Sequence, residues 1–373
     1  MLEHNKISKM KIALFVPNLR LGGLQQLAVR LCAQWKLRGH DVTLVIINKT
    51  DMFYDVPAGV HMVRLDLPPM FTLKLRRLHR LIQRMHGLHK AFDGLDADVA
   101  IVFGADVWAQ IALWPGRLST PAIMSIQIDP RTFPDAIPWN PWSKQAEHKV
   151  DVIVALTENT RQFYRERSDV TVHVIPNMVY PAPNAATERA EGQRIISHGR
   201  LHAIKGLDIL VRAFAPVHAA LPKSRLCVIG DGPEREPLLQ LVASLGLEDA
   251  VSIKPGMQEM VDALRCSHLY ALASLSDAFP LALLEAMAAG LPVIATDCDG
   301  PLTIIQDQDN GLIVPKNEVD ALANAMQRVL TDGVLRSQLS RRALQTVERY
   351  YPENVMPLWD AAIQDAMLHK RAA

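Results

Sequence analysis

Two short segments hold most of the residues whose types and spacing could do chemistry. In residues 274–296, SLSDAFPLALLEAMAAGLPVIAT, carboxylates stand at Asp277 and Glu285. Pro280 suits the first turn of a helix, where a missing N–H costs nothing. Gly290 with Pro292 just beyond ends that helix. The spacing therefore predicts a helix over 281–289, with the loop 276–279 feeding its N-terminus. Free N–H groups at such a terminus form an anion site. A carboxylate accepts two hydroxyls well, so the pair suits a polyol, sugar or ribose, beside a phosphate. Glu285 lies in an otherwise apolar run, where it must be largely buried, and a buried charge needs a partner.

The second segment, Ser197-His198-Gly199-Arg200 followed by Lys205-Gly206, reads as a strand end, a short loop and a helix start. Arg200 offers a bidentate fork and Lys205 a point charge, a combination that can hold a diphosphate. The same cations can stabilise a departing nucleoside diphosphate without a metal. A third feature is Gly22-Gly23 after the first strand, where paired glycines let a backbone approach a phosphate closely. It is not GxGxxG, and no acidic ribose partner follows a second strand, so a dinucleotide fingerprint is absent.

These segments need strands and helices to position them. Short apolar runs alternate with amphipathic helical runs almost throughout. Several are continuous Val/Ile/Leu runs, as parallel strands buried on both faces read. The order is βαβα, hence a doubly wound α/β fold. A polar, Pro/Ala-rich stretch at 180–193, YPAPNAATERAEGQ, has no apolar period and marks a linker. Two Rossmann-like domains are expected on either side, 1–180 and 181–352. The last amphipathic run, within 353–373, either closes the second domain or packs back onto the first. Ligands bind outside the carboxyl ends of parallel strands, so the expected active site is a cleft between two facing domains.

Composition narrows the function further. The 373 residues are 49% hydrophobic and 21% charged, which is globular composition and too long for one typical core. Forty Lys+Arg against 39 Asp+Glu leave a formal charge of +1, which excludes a general nucleic-acid binder. Cys32, Cys227, Cys266 and Cys298 are far apart, with no CxxC pair, so neither a zinc site nor a disulfide framework is expected. The N-terminal MLEHNKISKMKIALF lacks the apolar core of a signal peptide. The apolar stretches 99–114 and 281–295 are interrupted by Asp106 and Gln110 and by Glu285, so no transmembrane span is expected. The expected location is cytoplasmic.

Together these pieces resemble the retaining glycosyltransferases of family 4, which have the two-domain GT-B fold. The resemblance spans nearly the whole chain. It covers Gly22-Gly23, Ile175-Pro176-Asn177, Gly199-Arg200-Leu201 with Lys205-Gly206, and Ile229-Gly230-Asp231-Gly232-Pro233. It continues through Phe279-Pro280-Leu281 to Pro292-Val293, and ends at Asn310-Gly311-Leu312-Ile313-Val314-Pro315. Single pieces are weak; their order and spacing are specific. The resemblance implies a nucleotide-sugar donor, UDP- or GDP-linked, on the second domain, an acceptor on the first, and retention of anomeric configuration. It makes Arg200, Lys205, Asp277 and Glu285 the catalytic set: Arg200 and Lys205 on the diphosphate, Glu285 on the ribose hydroxyls, position 277 facing the transferred sugar. Backbone N–H groups around Phe279, Pro280, Leu281 and Ala282 would hold sugar or phosphate oxygens. Gly199 belongs to the same donor site, Gly22 and Gly23 would approach the diphosphate from the other domain, and the loop from Lys254 to Met257 would frame the base.

The chain also departs from the family pattern. Asp277 stands where relatives have Glu, one methylene longer, and Ala278 follows where they have Gly. Gln127 replaces a frequent His and, with Asp129, is placed on the acceptor side; Gln hydrogen-bonds a hydroxyl but takes no proton near neutrality. Two Asp-x-Asp strings, 297–299 and 307–309, fall in ordinary loop positions, so neither a metal nor any other resident cofactor is expected. The stretch 74–90, KLRRLHRLIQRMHGLHK, holds six Lys/Arg and no acid. A basic amphipathic helix reads as membrane-surface binding, through Lys74, Arg76, Arg77, Arg80 and Arg84. The loop 129–142 carries four prolines with Phe133, Trp139 and Trp142, and long loops of this kind often carry function. The function expected is transfer of a sugar to a lipid-linked or polysaccharide acceptor, including lipopolysaccharide, at the inner face of the cytoplasmic membrane. Two alternatives share the architecture: a nucleotide-sugar epimerase and a noncatalytic donor-binding subunit.

Overall fold

The computed structural model describes residues 9–67, 77–115, 118–131, 145–182 and 193–372. The chain divides into two units. One comprises Met1–Arg20, Leu24–Pro176 and Val355–Ala373; the other comprises Leu21–Gly23 and Asn177–Asn354.

The first unit is built on a 7-stranded sheet of order β3-β2-β1-β4-β5-β6-β7. Its strands are β1 Lys11–Val16, β2 Asp41–Asn48, β3 His61–Leu67, β4 Val99–Phe103, β5 Ala122–Ser125, β6 Val152–Ala155 and β7 Thr171–Val174. Every pairing is parallel. The continuous apolar runs of β4, β5 and β6 are buried at every position, as strands covered on both faces must be. The edge strand β3 is largely open to solvent. Helices α1 Gly23–Leu37, α2 Arg77–Asp93, α3 Ala105–Ala112 and α4 Glu158–Arg165 fall between the strands. Phe92 of α2 lies between Phe15 and Trp108, with ring centroids 5.6 and 5.9 Å away, and all three are fully buried. Burying each such ring stabilises the unit by about 1.5–3 kcal/mol.

The chain returns to this unit at its end. Residues 352–372 form one long helix, and Trp359 in it meets Trp35 of α1 edge to face at 5.9 Å. Arg38 pairs with Asp360 at 2.7 Å, and His173 of β7 with Asp365 at 2.8 Å.

The face of α2 differs from the one its sequence suggests. Arg84, expected on a basic membrane-facing side, is buried, and its Nε donates to Gln110 Oε1 at 2.6 Å. Burial lowers its pKa, while the nearby Asp106 carboxylate raises it. Leu88 and Phe92, one and two turns further on, complete the buried stripe, whereas Ile82, two residues before Arg84, is exposed. A polar partner inside the domain has overridden the simple split into basic and apolar faces. Lys74 and Arg76 lie outside the described residues, as do Phe133, Trp139, Trp142 and most of the linker. Among the described residues no helix is long and apolar enough to cross a membrane.

The second unit repeats the plan with a 6-stranded parallel sheet of order β10-β9-β8-β11-β12-β13. Its strands are β8 Gln193–His198, β9 Ser224–Ile229, β10 Val251–Lys254, β11 Leu269–Leu272, β12 Val293–Thr296 and β13 Leu312–Val314. Its helices are α5 Leu207–Ala220, α6 Arg235–Ser244, α7 Val261–Arg265, α8 Leu281–Ala288, α9 Asp299–Ile304, α10 Val319–Thr331 and α11 Gly333–Val347; the returning helix Pro352–Ala372 is then α12. One core runs from Phe214 of α5 through Leu269 of β11 to Met326 of α10 and Leu339 of α11. Both units are therefore doubly wound and Rossmann-like.

Candidate functional site

In the second sheet the strand order reverses between β8 and β11, its topological switch point, where open α/β sheets bind ligands outside the carboxyl ends of the strands. The two segments singled out in the sequence are the connections that leave those two strands. Since β8 and β11 run parallel, in register Leu269↔Ile195 and Tyr270↔Ile196, both connections emerge at the same edge.

The connection after β8 is held by close backbone approaches. Gly199 has φ 138°, and its N–H donates to Ile229 O at 3.0 Å. A Cβ on Gly230 would sit 1.8 Å from Gly199 O, so only glycine lets the end of β9 pass there. The chain then makes a single 3-10 turn, Ala203–Lys205, closed by Gly206 in the left-handed region at φ 56°. A Cβ on Gly206 would meet Ala273 O at 2.1 Å, and Leu275 N donates to Ile204 O at 2.8 Å. These contacts press the Lys205 turn against the chain leaving β11. As a result Lys205 Nζ donates to Asp277 Oδ2 at 2.5 Å, with side chains 24% and 12% exposed. Arg200 is exposed, and its side chain makes no hydrogen bond or ion pair among the described residues.

The connection after β11 is fastened from four directions. Thr296 Oγ1 and Cys298 Sγ donate to Ser274 O at 2.5 and 3.0 Å. Burial raises the Cys298 pKa above its ordinary value of 9.0, so it acts as a neutral donor. Gly300 N donates to Asp277 O at 3.0 Å, and the buried Asn177 donates from Nδ2 to Phe279 O at 2.8 Å. Pro280 is the cap before α8 rather than its first residue, with ψ 108°. It carries no N–H, so of the four positions 279–282 expected to hold oxygens only Phe279, Leu281 and Ala282 have donors. The N–H groups of Leu283 and Leu284 turn back to Pro280 O at 3.2 and 3.3 Å. Those of Leu281 and Ala282 precede any intrahelical acceptor.

Helix α8 buries every residue except a stripe at Ala282 and Glu285, continued by Ala289 just past its end. Glu285 finds the partner its apolar setting requires: His198, the last residue of β8, with Nε2 2.9 Å from Oε2 and side chains 9% and 11% exposed. The imidazole lies edge to face with the buried Tyr270 at 5.5 Å. Sequence reasoning gave no role to His198 or to the amide of Asn177. The signal for the first was present, a carboxylate in an apolar helix with a histidine at a neighbouring strand end.

The remaining candidates spread more widely. Lys254 ends β10, two strands from β8, and is exposed. Its loop is tied to the Asp231 turn through Gly256 N, 3.0 Å from Asp231 Oδ2. Gly22 and Gly23, expected to act from the other domain, belong with the second unit. Gln127 and Asp129 lie in the first unit, past the end of β5. Gln127 Nε2 donates to Ser125 Oγ at 2.9 Å, and Asp129 Oδ1 accepts from Arg131 N at 2.9 Å. The Asp-x-Asp carboxylates have structural partners: Asp297 takes Lys316 N, Asp307 takes Ile313 N, and Asp309 pairs with Arg342. Among the described residues no cluster of three or more His, Cys, Asp or Glu is placed to hold a metal ion.

An exposed arginine, a lysine shared with a carboxylate, open helical N–H groups and an oriented glutamate suit a ligand with both anionic and polyhydroxy parts. Two family models divide the chain between them: Glycosyltransferase Family 4 matches residues 21–182, and Glycosyl transferases group 1 matches residues 183–346. With the two-sheet fold, these matches make the chain a glycosyltransferase of the GT-B type. It is 24% identical, over 94% of its length and 98% of the relative's, to an uncharacterized glycosyltransferase of Haemophilus influenzae. It is 34% identical to an exopolysaccharide phosphotransferase of Streptomyces coelicolor over 57% of this chain, but spans only 23% of that protein. Among solved structures, the S. aureus TarM G117R mutant in complex with Fondaparinux, alpha-GlcNAc-glycerol and UDP matches with a TM-score of 0.79 and 13% identity. That match covers 95% of this chain and 99% of the other. Neither the epimerase nor the noncatalytic alternative is favoured by these matches.

Proposed function

We propose that the protein is a retaining glycosyltransferase of family 4, hexosyltransferase in type, that moves a sugar from a nucleoside-diphosphate sugar to a lipid-linked or polysaccharide acceptor. One observation carries the reading: at the second switch point, Lys205–Asp277 and His198–Glu285 stand around the start of α8. In this reading Arg200 and Lys205, with the N–H groups of Leu281 and Ala282, hold the diphosphate. Glu285 accepts the ribose hydroxyls, Asp277 faces the transferred sugar, and Gly22, Gly23 and Gly199 let backbone approach the donor. The Lys254 loop frames the base. Gln127 and Asp129 belong to the acceptor side. UDP in the TarM complex supports a uridine donor, with GDP as the other choice. The Streptomyces relative's name supports an exopolysaccharide acceptor.

In the reaction, the bond between the anomeric carbon and the diphosphate oxygen loosens as the cations take up the developing charge. The acceptor hydroxyl attacks from the same face, and its proton passes to the leaving diphosphate. No protein nucleophile and no resident metal is needed. Lys74, Arg76, Arg77 and Arg80 remain the proposed contact with the inner face of the cytoplasmic membrane; the buried Arg84 has no part in it.

The test is a panel of UDP- and GDP-sugars incubated with purified protein in excess chelator, with released nucleoside diphosphate measured by mass spectrometry. One donor is expected to be consumed slowly without acceptor, and Glu285→Gln to slow that reaction by at least about tenfold. Release only after magnesium or manganese is restored would overturn the metal-free mechanism, and no release from any donor would overturn the transferase reading.

A further inference from the structure

We propose that His198 is a positioning residue for nucleotide recognition: it sets the Glu285 carboxylate for the ribose hydroxyls. This rests on the donor-site reading above, which assigns Glu285 to the ribose but gives His198 no role. A carboxylate only accepts hydrogen bonds, so the ring nitrogen 2.9 Å from Glu285 Oε2 carries the proton and Nε2–H donates. The ring plane is fixed by Tyr270, edge to face at 5.5 Å, and the backbone by the end of β8. Glu285 itself projects from one of the few positions along α8 that are not buried. The donor is therefore rigid where the acceptor faces the ligand side, the arrangement that fixes one carboxylate rotamer.

The other ring nitrogen supplies a second, independent observation. Nδ1 of His198 is buried and has no hydrogen-bond partner among the described residues. A buried polar atom left unpaired costs stability, and such atoms in folded proteins ask for an explanation. An apolar ring of similar size would fill the same place beside Tyr270 without that cost. What it could not do is hold Glu285, so the histidine is explained by the carboxylate it orients.

The experiment compares UDP with 2′-deoxy-UDP, and GDP with 2′-deoxy-GDP, by titration calorimetry on the full chain. Wild type is expected to prefer one ribonucleotide over its deoxy form by about tenfold, the worth of a hydrogen bond to a charged group. His198→Phe keeps a ring against Tyr270 but cannot donate, and is expected to bring that ratio below about threefold. His198→Gln, whose amide donates, is expected to restore it; a merely structural role would not respond to the 2′ hydroxyl. If the Phe variant does not fold, His198→Met carries the same expectation. If Glu285→Gln abolishes the preference and His198→Phe keeps it, the His198 proposal fails alone. If wild type shows no preference for either ribonucleotide, or binds neither, the ribose assignment of Glu285 fails and takes this proposal with it.

Discussion

The pairing of Lys205 with Asp277 gives the site an unusual charge economy. A lysine 2.5 Å from a carboxylate, both mostly shielded from solvent, offers a ligand less positive charge than its formula suggests. Arg200 beside it is exposed and makes no side-chain hydrogen bond or ion pair among the described residues. The shorter Asp277, in place of the family's glutamate, stays within reach of Lys205 through the 2.5 Å contact. Neutralising Asp277 therefore separates binding from turnover. Asp277→Asn is expected to raise affinity for free nucleoside diphosphate by a few-fold, about 1 kcal/mol for a released charge near the surface. Turnover of the nucleotide sugar is expected to fall by tenfold or more, about 1.4 kcal/mol of barrier. Calorimetry with UDP and GDP, run beside the donor-consumption assay, reads both. A parallel loss of binding and turnover would show that Asp277 supports the site structurally instead.

At the scale of elements, much of the fold was legible from sequence because parallel strands buried on both faces announce themselves as apolar runs. The apolar stretches 11–16 (KIALFV), 99–103 (VAIVF), 293–296 (VIAT) and 312–314 (LIV) coincide with β1, β4, β12 and β13. The helix read over 281–289 stops one residue earlier, at Ala288, because Gly290 at φ 75° ends it. What periodicity could not give was pairing at long range. His198 and Glu285 are 87 residues apart, and Asn177 and Phe279 are 102 apart. Arg84 failed for the same reason, since its partner Gln110 sits on another helix and charge pattern alone assigns an arginine to solvent. The destination of the last helix was also open in the sequence. Trp359 on α12, fully buried against Trp35, gives a check on what holds it. Trp359→Ala is expected to cost about 3–5 kcal/mol through the cavity it leaves. Hydrogen exchange is expected to quicken in α1, β7 and α12 while β8–β13 keep their protection. Uniform loss across both units would contradict this assignment of α12 to the first.

At the scale of the molecule, one architecture occurs twice with different endowments. Both sheets carry the same reversal, β1 against β4 and β8 against β11. The second brings the Lys205–Asp277 ion pair and the His198–Glu285 hydrogen bond together at its reversal, while the first buries its Arg84 and Gln110 in a hydrogen bond beside β4. In the proposed function the nucleotide sits at the second reversal. Hydrogen exchange measured with and without the nucleoside diphosphate released in the donor panel tests this most directly. New protection is expected in peptides covering 198–206 and 275–286, lost again in Arg200→Ala. Protection confined to β1–β7 and their loops, with 198–206 and 275–286 unchanged, would contradict it.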